Sequence, residues 1–258
     1  MIESEKNRWA KLMRRLRRSQ GERTLLEGPH LVEEAVSTGL EMEAVVATPQ
    51  FLGSAEARNL VPRLARPPLE IAPRLLDDLT DADSPRGIVA IARLPAPPLD
   101  ALPRSAAGVY VYADGLQDPG NLGAIARVAE ASGVVGLCLG PGSVRRLHPR
   151  SLRASAGSLL RVPTFDDVSL EALDAHLAPL RPRWATLVTR GGVDLWSTDL
   201  DGPLILVVGA EGRGVSPEAL ARADLRLTIA MTGRVESLNA AVSTAVVLFE
   251  ARRRRVAD

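Results

Sequence analysis

Five polar residues of this 258-residue chain stand where apolar stretches run out. Asn121 and Arg127 follow the run GVYVYADGL, Glu211 follows LILVV, and Ser237 and Asn239 follow LRLTIAM. Glu211 sits inside Gly209-Ala210-Glu211-Gly212-Arg213-Gly214, and three glycines in six residues let a backbone approach a ligand closely. The spacing is G-x-x-G-x-G rather than the G-x-G-x-x-G of dinucleotide sites, so as a nucleotide motif it is weak. Ser237 and Asn239 open an apolar helix. One side chain is enough to cap a helix, so at least one of the two is expected to face a ligand. Arg127 lies almost two turns into its helix, and by itself reads equally as a surface arginine with its head in water.

The elements around these residues alternate. Apolar runs at GVYVYADGL, VVGLCLG, RWATLVTRG, LILVVGAEG and LRLTIAM are separated by helical patterns near 121–132, 149–160, 168–180 and 216–222, with a last helix over 236–254. Runs that are apolar nearly throughout and joined by helices predict an α/β domain with a parallel sheet covered on both faces. Ligands of such sheets collect at the carboxyl ends of the strands, where all three polar clusters fall. Asn121 is placed to cap the first helix, with Gly133 at its end. Ser216-Pro217-Glu218 has the order of cap, first-turn proline and first-turn acid. Ser237 or Glu236 is placed to cap the last helix.

Ahead of this domain, Trp9, Leu12, Met13 and Leu16 predict an amphipathic helix over 5–18 with a basic outer face. The proline-rich stretch LPAPPLDALPRSAAG (94–108) marks a boundary near residue 100. The expected organisation is a small α/β domain over 1–95, a linker over 96–107 and a larger domain over 108–258. The chain has a single cysteine, Cys138 in an apolar run, and three scattered histidines, His30, His148 and His176. No disulfide framework within the chain, and no metal site, is expected. No apolar run is long enough to span a bilayer, and the N-terminus lacks the apolar core of a signal peptide. A cytoplasmic protein is expected. The net charge of +1 is uninformative, but the basic residues concentrate in KLMRRLRR (11–18) and ARRRR (251–255), and all except Lys6 and Lys11 are arginine. Arginine forks suit phosphate.

The three clusters N-L-G-A-I-A-R (121–127), G-A-E-G-R-G (209–214) and M-T-G-R-V-E-S-L-N (231–239) resemble, in order and spacing, the signature motifs of the SpoU/TrmH family of the SPOUT superfamily, the RNA ribose 2′-O-methyltransferases. DGLQDPGN and RASAGSLLRVP (153–163) support the resemblance, which covers roughly 108–250. LLEGPHLVEEAVSTG and SPRGIVAIARL resemble the family's auxiliary substrate-binding domain, a small α/β ribosomal-protein-like module. The resemblance implies a deep trefoil knot, S-adenosyl-L-methionine as cofactor, no metal, and a homodimer with active sites at the subunit interface. It assigns Asn121, Arg127, Glu211, Ser237 and Asn239 to the reaction centre. Cofactor contacts are expected at Thr189, Arg190 and Gly191, at Val208, Gly209 and Gly212, and at Ile229, Met231 and Leu238, the alternative for Ile229 and Leu238 being ordinary core. Relatives often read S-L-N-V-S, whereas Ala240 and Ala241 follow Asn239 here.

Methyl transfer to a hydroxyl requires alignment of oxygen, methyl and sulfur together with removal of a proton. Arg127 is the residue the family nominates, but arginine is a poor base because its pKa exceeds about 12. It is therefore read as a positioner of phosphate and ribose, with deprotonation assisted by it or by solvent. Asn121 is expected to orient Arg127 or the ribose, and Glu211 to pair with an arginine. The expected substrate is structured RNA, with ribosomal RNA favoured over transfer RNA by the auxiliary domain. Arg14, Arg15, Arg17 and Arg18 of the N-terminal helix are the candidate RNA contacts. Two rivals remain open: a non-catalytic RNA-binding relative, and a nucleotide-dependent α/β enzyme such as a reductase.

Overall fold

The structure is a computed structural model and describes residues 1–17, 21–80 and 86–256. The chain divides into two compact units, Met1–Ala96 with Leu147–Arg161, and Pro97–Arg146 with Val162–Asp258. In chain order the elements begin with α1 (Arg8–Leu16), β1 (Arg23–Glu27), α2 (Pro29–Ser37), β2 (Met42–Ala47), α3 (Pro49–Leu52), α4 (Ala55–Leu60), β3 (Leu69–Glu70), α5 (Pro73–Leu79) and β4 (Ile88–Arg93). Next come β5 (Val109–Asp114), α6 (Pro119–Ser132), β6 (Gly136–Leu139), α7 (Pro149–Ala154) and α8 (Ser158–Arg161). The chain continues with β7 (Thr164–Phe165), α9 (Leu170–Leu177), β8 (Arg183–Leu187), β9 (Val193–Asp194), β10 (Leu204–Gly209), α10 (Pro217–Arg222), β11 (Leu225–Thr228) and α11 (Ala240–Val256).

The first unit is built on a four-stranded sheet ordered β1-β4-β2-β3, antiparallel except for the β2–β3 pair. β4 is central and buried along five of its six residues, so its run IVAIA has no polar alternation. Met13 and Leu16 of α1 and Leu75, Leu76 and Leu79 of α5 pack on Leu25, Val46, Val89 and Ile91. α1 is shorter than the 5–18 expected from its periodicity. Asn7 caps it by accepting a hydrogen bond from the Trp9 amide at 2.9 Å, and Arg17 is its C-terminal cap residue. Segment 147–161 joins this unit through polar chemistry. The fully buried Glu27 carboxylate takes an ion pair from Arg153, Arg161 pairs with Glu34, and Thr24 Oγ1 donates to the Leu147 carbonyl at 2.7 Å.

The second unit holds a seven-stranded sheet, β7-β6-β5-β10-β8-β11-β9, in which every pair is parallel. Tyr110, Tyr112, Cys138, Trp184, Ile205 and Val207 meet Leu170, Leu173 and Leu177 of α9 and Ala219 of α10 on one face. α6 and α11 pack on each other and against β6 and β10. Burial on both faces explains why these strands read as unbroken apolar runs. Cys138 is fully buried, its thiol pushed up to about 12 by desolvation, which makes it a core residue rather than a reactive one. The two-residue edge strands β7 and β9, too short to leave a pattern, are additions to the expected set.

The strand order also brings the Asn121 and Glu211 clusters side by side. From β5 the chain winds outward through β6 to β7, and the rest of the sheet lies on the other side of β5, beginning with β10. The order therefore reverses between β5 and β10, whose last residues Asp114 and Gly209 are paired. A crevice opens at the carboxyl ends of two strands at such a switch point.

Candidate active site

Gly209 ends β10 and lets the next loop fold straight back. A Cβ there would lie 2.3 Å from the Gly214 carbonyl carbon, so any side chain collides with backbone. Ala210 and Gly214 face each other with both bonds made, Ala210 N–H to the Gly214 carbonyl at 3.1 Å and the reverse at 2.9 Å. Gly212, at φ 80°, turns the loop between them. The tip of this tight turn carries Glu211. The turn is tied to β5 as well: Asp114 Oδ2 accepts from the Ser216 amide at 2.6 Å, while Ser216 caps α10 by accepting from Ala219 N. The cap expected at Ser216 is present.

Two other caps differ from expectation, and both differences matter to the site. α6 begins at Pro119, and Asp118 caps it by accepting from the Asn121 amide at 2.9 Å. Proline supplies the first helical position without needing an amide partner, so the Asn121 side chain is free for other work. α11 begins at Ala240, and its cap is Asn239, whose Oδ1 accepts from Ala241 N at 2.9 Å and Val242 N at 3.3 Å. Ser237 and Glu236 are not the cap.

These caps fix a directional chain of hydrogen bonds. Because Asn239 Oδ1 is held by the helix, its Nδ2 donates to Asn121 Oδ1 at 2.8 Å. Asn121 Oδ1 is then the acceptor, and its Nδ2 donates to Glu211 Oε1. Each carboxamide is oriented by the one before it. The line ends on Glu211, whose Oε1 accepts and is thereby fixed at the tip of the turn. Within the chain Asn121 does not touch Arg127, and Glu211 pairs with no arginine among the described residues; both join this direct Asn239–Asn121–Glu211 relay, with the ribose the other expected partner of Asn121.

The loops after β8, β10 and β11 line an open cavity of about 790 Å³. It is lined by Thr189 and Arg190 after β8, by Val208, Gly209, Glu211 and Gly212 at β10, and by Ile229, Met231, Ser237, Leu238 and Asn239 after β11. Gly191, at φ 75°, lies one residue beyond the lining, and Asn121 reaches the cavity through its bonds to Glu211 and Asn239. Arg127 is not brought there: it is exposed on α6, six residues on from Asn121, with no hydrogen bond or ion pair among the described residues. Sequence reasoning passed over Val188, Arg213, Glu236 and Ser243, which also line the cavity. Three of these adjoin residues already singled out. Ser243 had its own signal, being one helical turn beyond Asn239, where i and i+4 share a face.

Of the N-terminal candidates, Arg14 pairs with Glu5 at 2.8 Å, Arg17 donates to the Asp78 carbonyl at 2.9 Å and Arg15 is exposed. Arg18 lies outside the described residues. Among the described residues, no group of three or more His, Cys, Asp or Glu side chains could hold a metal ion, and no helix is long and apolar enough to cross a membrane.

Comparison with known proteins agrees with the geometry. Residues 108–249 match the model of the SpoU rRNA Methylase family, and residues 6–90 match an MRM3-like substrate binding domain. The 23S rRNA (uridine(2479)-2′-O)-methyltransferase of Streptomyces viridochromogenes is 31% identical over 96% of this chain and 89% of its own length. The 23S rRNA (guanosine(2553)-2′-O)-methyltransferase of Bacillus subtilis is 29% identical over 97% and 98%. The crystal structure of the SpoU methyltransferase AviRb from Streptomyces viridochromogenes, in complex with the cofactor AdoMet, matches 97% of this chain and 99% of that one, with a TM-score of 0.90 at 27% identity. The chain belongs to the SpoU rRNA methylase family.

Proposed function

We propose that this chain transfers a methyl group from S-adenosylmethionine to a ribose 2′-hydroxyl of ribosomal RNA, as a cytoplasmic homodimer. The observation that carries the reading is the cavity at the carboxyl ends of β8, β10 and β11, walled by the second and third motif loops and the loop after β8, and adjoined by a hydrogen-bond relay from Asn239 through Asn121 of the first motif to Glu211. Both methyltransferase relatives described above are named for 23S rRNA, one for a guanosine and one for a uridine, so the base at the target stays open.

The cavity suits the cofactor. Its volume falls within the roughly 300–1,000 Å³ of small-molecule sites. Val208, Ile229, Met231 and the 37% exposed Leu238 give it apolar surface for a flat heterocycle, and the β10 and β8 loops offer backbone groups. Glu211 and Glu236 line it together with Arg190 and Arg213, so both charges of a zwitterionic ligand find partners. When bound, S-adenosylmethionine supplies a methyl group on a positively charged sulfur. The chain supplies alignment, which contributes on the order of 7–11 kcal/mol in favourable cases. Ser237 and the free oxygen of Glu211 hold the target ribose, and the Asn239–Asn121 relay keeps Glu211 turned toward the cavity. The trefoil knot implied by the motifs belongs to this reading, with 187–190, 208–215 and 229–243 as the segments it gathers.

The dimer completes the site. Val242 and Phe249 of α11 are 49% and 48% exposed and stand seven residues apart, on one stripe with the half-buried Ala245 and Val246. An exposed apolar stripe of this kind is covered by a partner, here a second copy. Arg127, exposed and away from its own cavity, then serves the cavity of the other copy as a phosphate and ribose positioner. Two measurements test the reading. With labelled S-adenosylmethionine, label should enter a ribosomal RNA pool; entry into transfer RNA alone would replace the substrate. Arg127→Ala and Glu211→Gln chains, each inactive, should regain activity when co-refolded. Continued inactivity of the mixture would place Arg127 and Glu211 in the same copy's site.

A further inference from the structure

We infer that the crest of α1, formed by Arg8, Lys11 and Arg15, is a phosphate-binding stripe for the RNA backbone; the inference rests on RNA being the substrate. Buried Ala10, Met13 and Leu16 mark the inner side of the helix. At about 100° per residue, Arg8, Lys11 and Arg15 fall within about 60° of one another on the opposite side. Their ends stand seven positions apart, about 10 Å along the axis. All three are exposed, and their side chains have no hydrogen bond or ion pair among the described residues. Arg14 lies on a flank and Arg17, the cap residue, on the buried side, and there they take Glu5 and the Asp78 carbonyl. Of the four arginines expected from sequence to contact RNA, Arg15 lies on this crest with two cations not singled out before, while Arg18 lies outside the described residues.

Three features set this crest apart from an ordinary solvated face. α1, RWAKLMRRL, contains no acidic residue, although the chain as a whole has 31 acids against 32 bases. A helix tuned only for solubility gains from acid–base pairs at i and i+4, and none is possible here. Arg8 is the first helical residue and Lys11 the fourth, so two cations oppose the positive end of the helix dipole. Such a local conflict is retained where charge serves a ligand. The Arg8 guanidinium also lies over the Trp9 ring, 4.5 Å from its centroid. That stacking holds the fork in place while leaving its N–H donors unused.

The test is the salt dependence of binding to ribosomal RNA, together with methyl-transfer kinetics. Each phosphate contact contributes about 0.7–0.9 to the slope of log K against log salt, so Arg8→Gln/Lys11→Gln/Arg15→Gln should lower the slope by about 2 and weaken binding on the order of tens-fold. KM for RNA should rise with kcat unchanged, since α1 lies outside the cavity lining. Arg8→Lys/Arg15→Lys should keep the slope, which a structural role for the guanidiniums would not. A triple glutamine variant with the wild-type slope and affinity would overturn the stripe while leaving methyl transfer intact. A wild-type chain that neither binds nor methylates ribosomal RNA would overturn the underlying reading and this inference with it.

Discussion

At the end of α11 every arginine from Arg252 to Arg255 is engaged inside its own unit. Arg252 donates to the Ser132 carbonyl, Arg253 and Arg254 both pair with Glu250, and Arg254 also reaches the Trp196 carbonyl. Arg255 donates to three carbonyls, those of Ala107, Leu200 and Gly202. Along α1, in the other unit, the crest cations have no such partners. The two clusters look alike in sequence, and both suggest phosphate. Their surroundings separate them: four consecutive arginines sweep nearly a full turn, so some must face protein, whereas spacing of three and four keeps cations on one outer face. Engagement, rather than arginine content, distinguishes a structural cluster from a binding one.

The comparison can be broken at either end. The largest effect is expected at Arg255, whose desolvated guanidinium has its pKa lowered by burial and binds three carbonyls. Arg255→Ala should cost roughly 1.5–3 kcal/mol in urea unfolding, because hydrogen bonds from a charged donor are lost, with no change in the RNA salt slope. At the opposite end of the same helix, Asn239→Ala removes a cap and should cost about 1 kcal/mol, while activity falls further than stability because Asn121 and Glu211 lose their orientation. Glu250 gives a pH signature. Its carboxyl is held at about 2, below its ordinary 4.5, by hydrogen bonds from Arg253 and Arg254. A depressed folded-state pKa contributes stability above pH 4.5 that is lost as pH falls toward 2. Glu250→Gln should flatten acid unfolding in that window, and an unchanged profile would show that the pair contributes nothing. The smallest effect belongs to Arg14→Gln, an exposed pair that should leave both unfolding midpoint and salt slope where they are.

The parallel sheet and the positions of its polar strand ends were legible because buried parallel strands leave unmistakable runs, and glycine clusters punctuate them. The motif loops could be named residue by residue, and eight of nine expected cofactor contacts line the cavity. Caps were less legible. Asp118 and Asn121 are both good capping residues three apart, and only the position of Pro119 decides between them. The relay from Asn239 through Asn121 to Glu211 joins residues 118 and 90 positions apart, and local pattern carries no trace of it. Equally hidden was the pairing of Glu27 with Arg153, which draws 147–161 into the N-terminal unit. Long side chains choose partners by three-dimensional proximity, and spacing in sequence does not encode that.

The central claim is that the methyl group arrives on ribose rather than on a base. Ribosomal RNA labelled by this protein with radioactive S-adenosylmethionine should be digested with alkali and its products separated by charge. Methylation at a 2′-hydroxyl blocks cleavage of the adjacent phosphodiester, so the account predicts label in alkali-resistant dinucleotides, abolished by Asn121→Ala. Label released in mononucleotides would mean base methylation and would contradict the account.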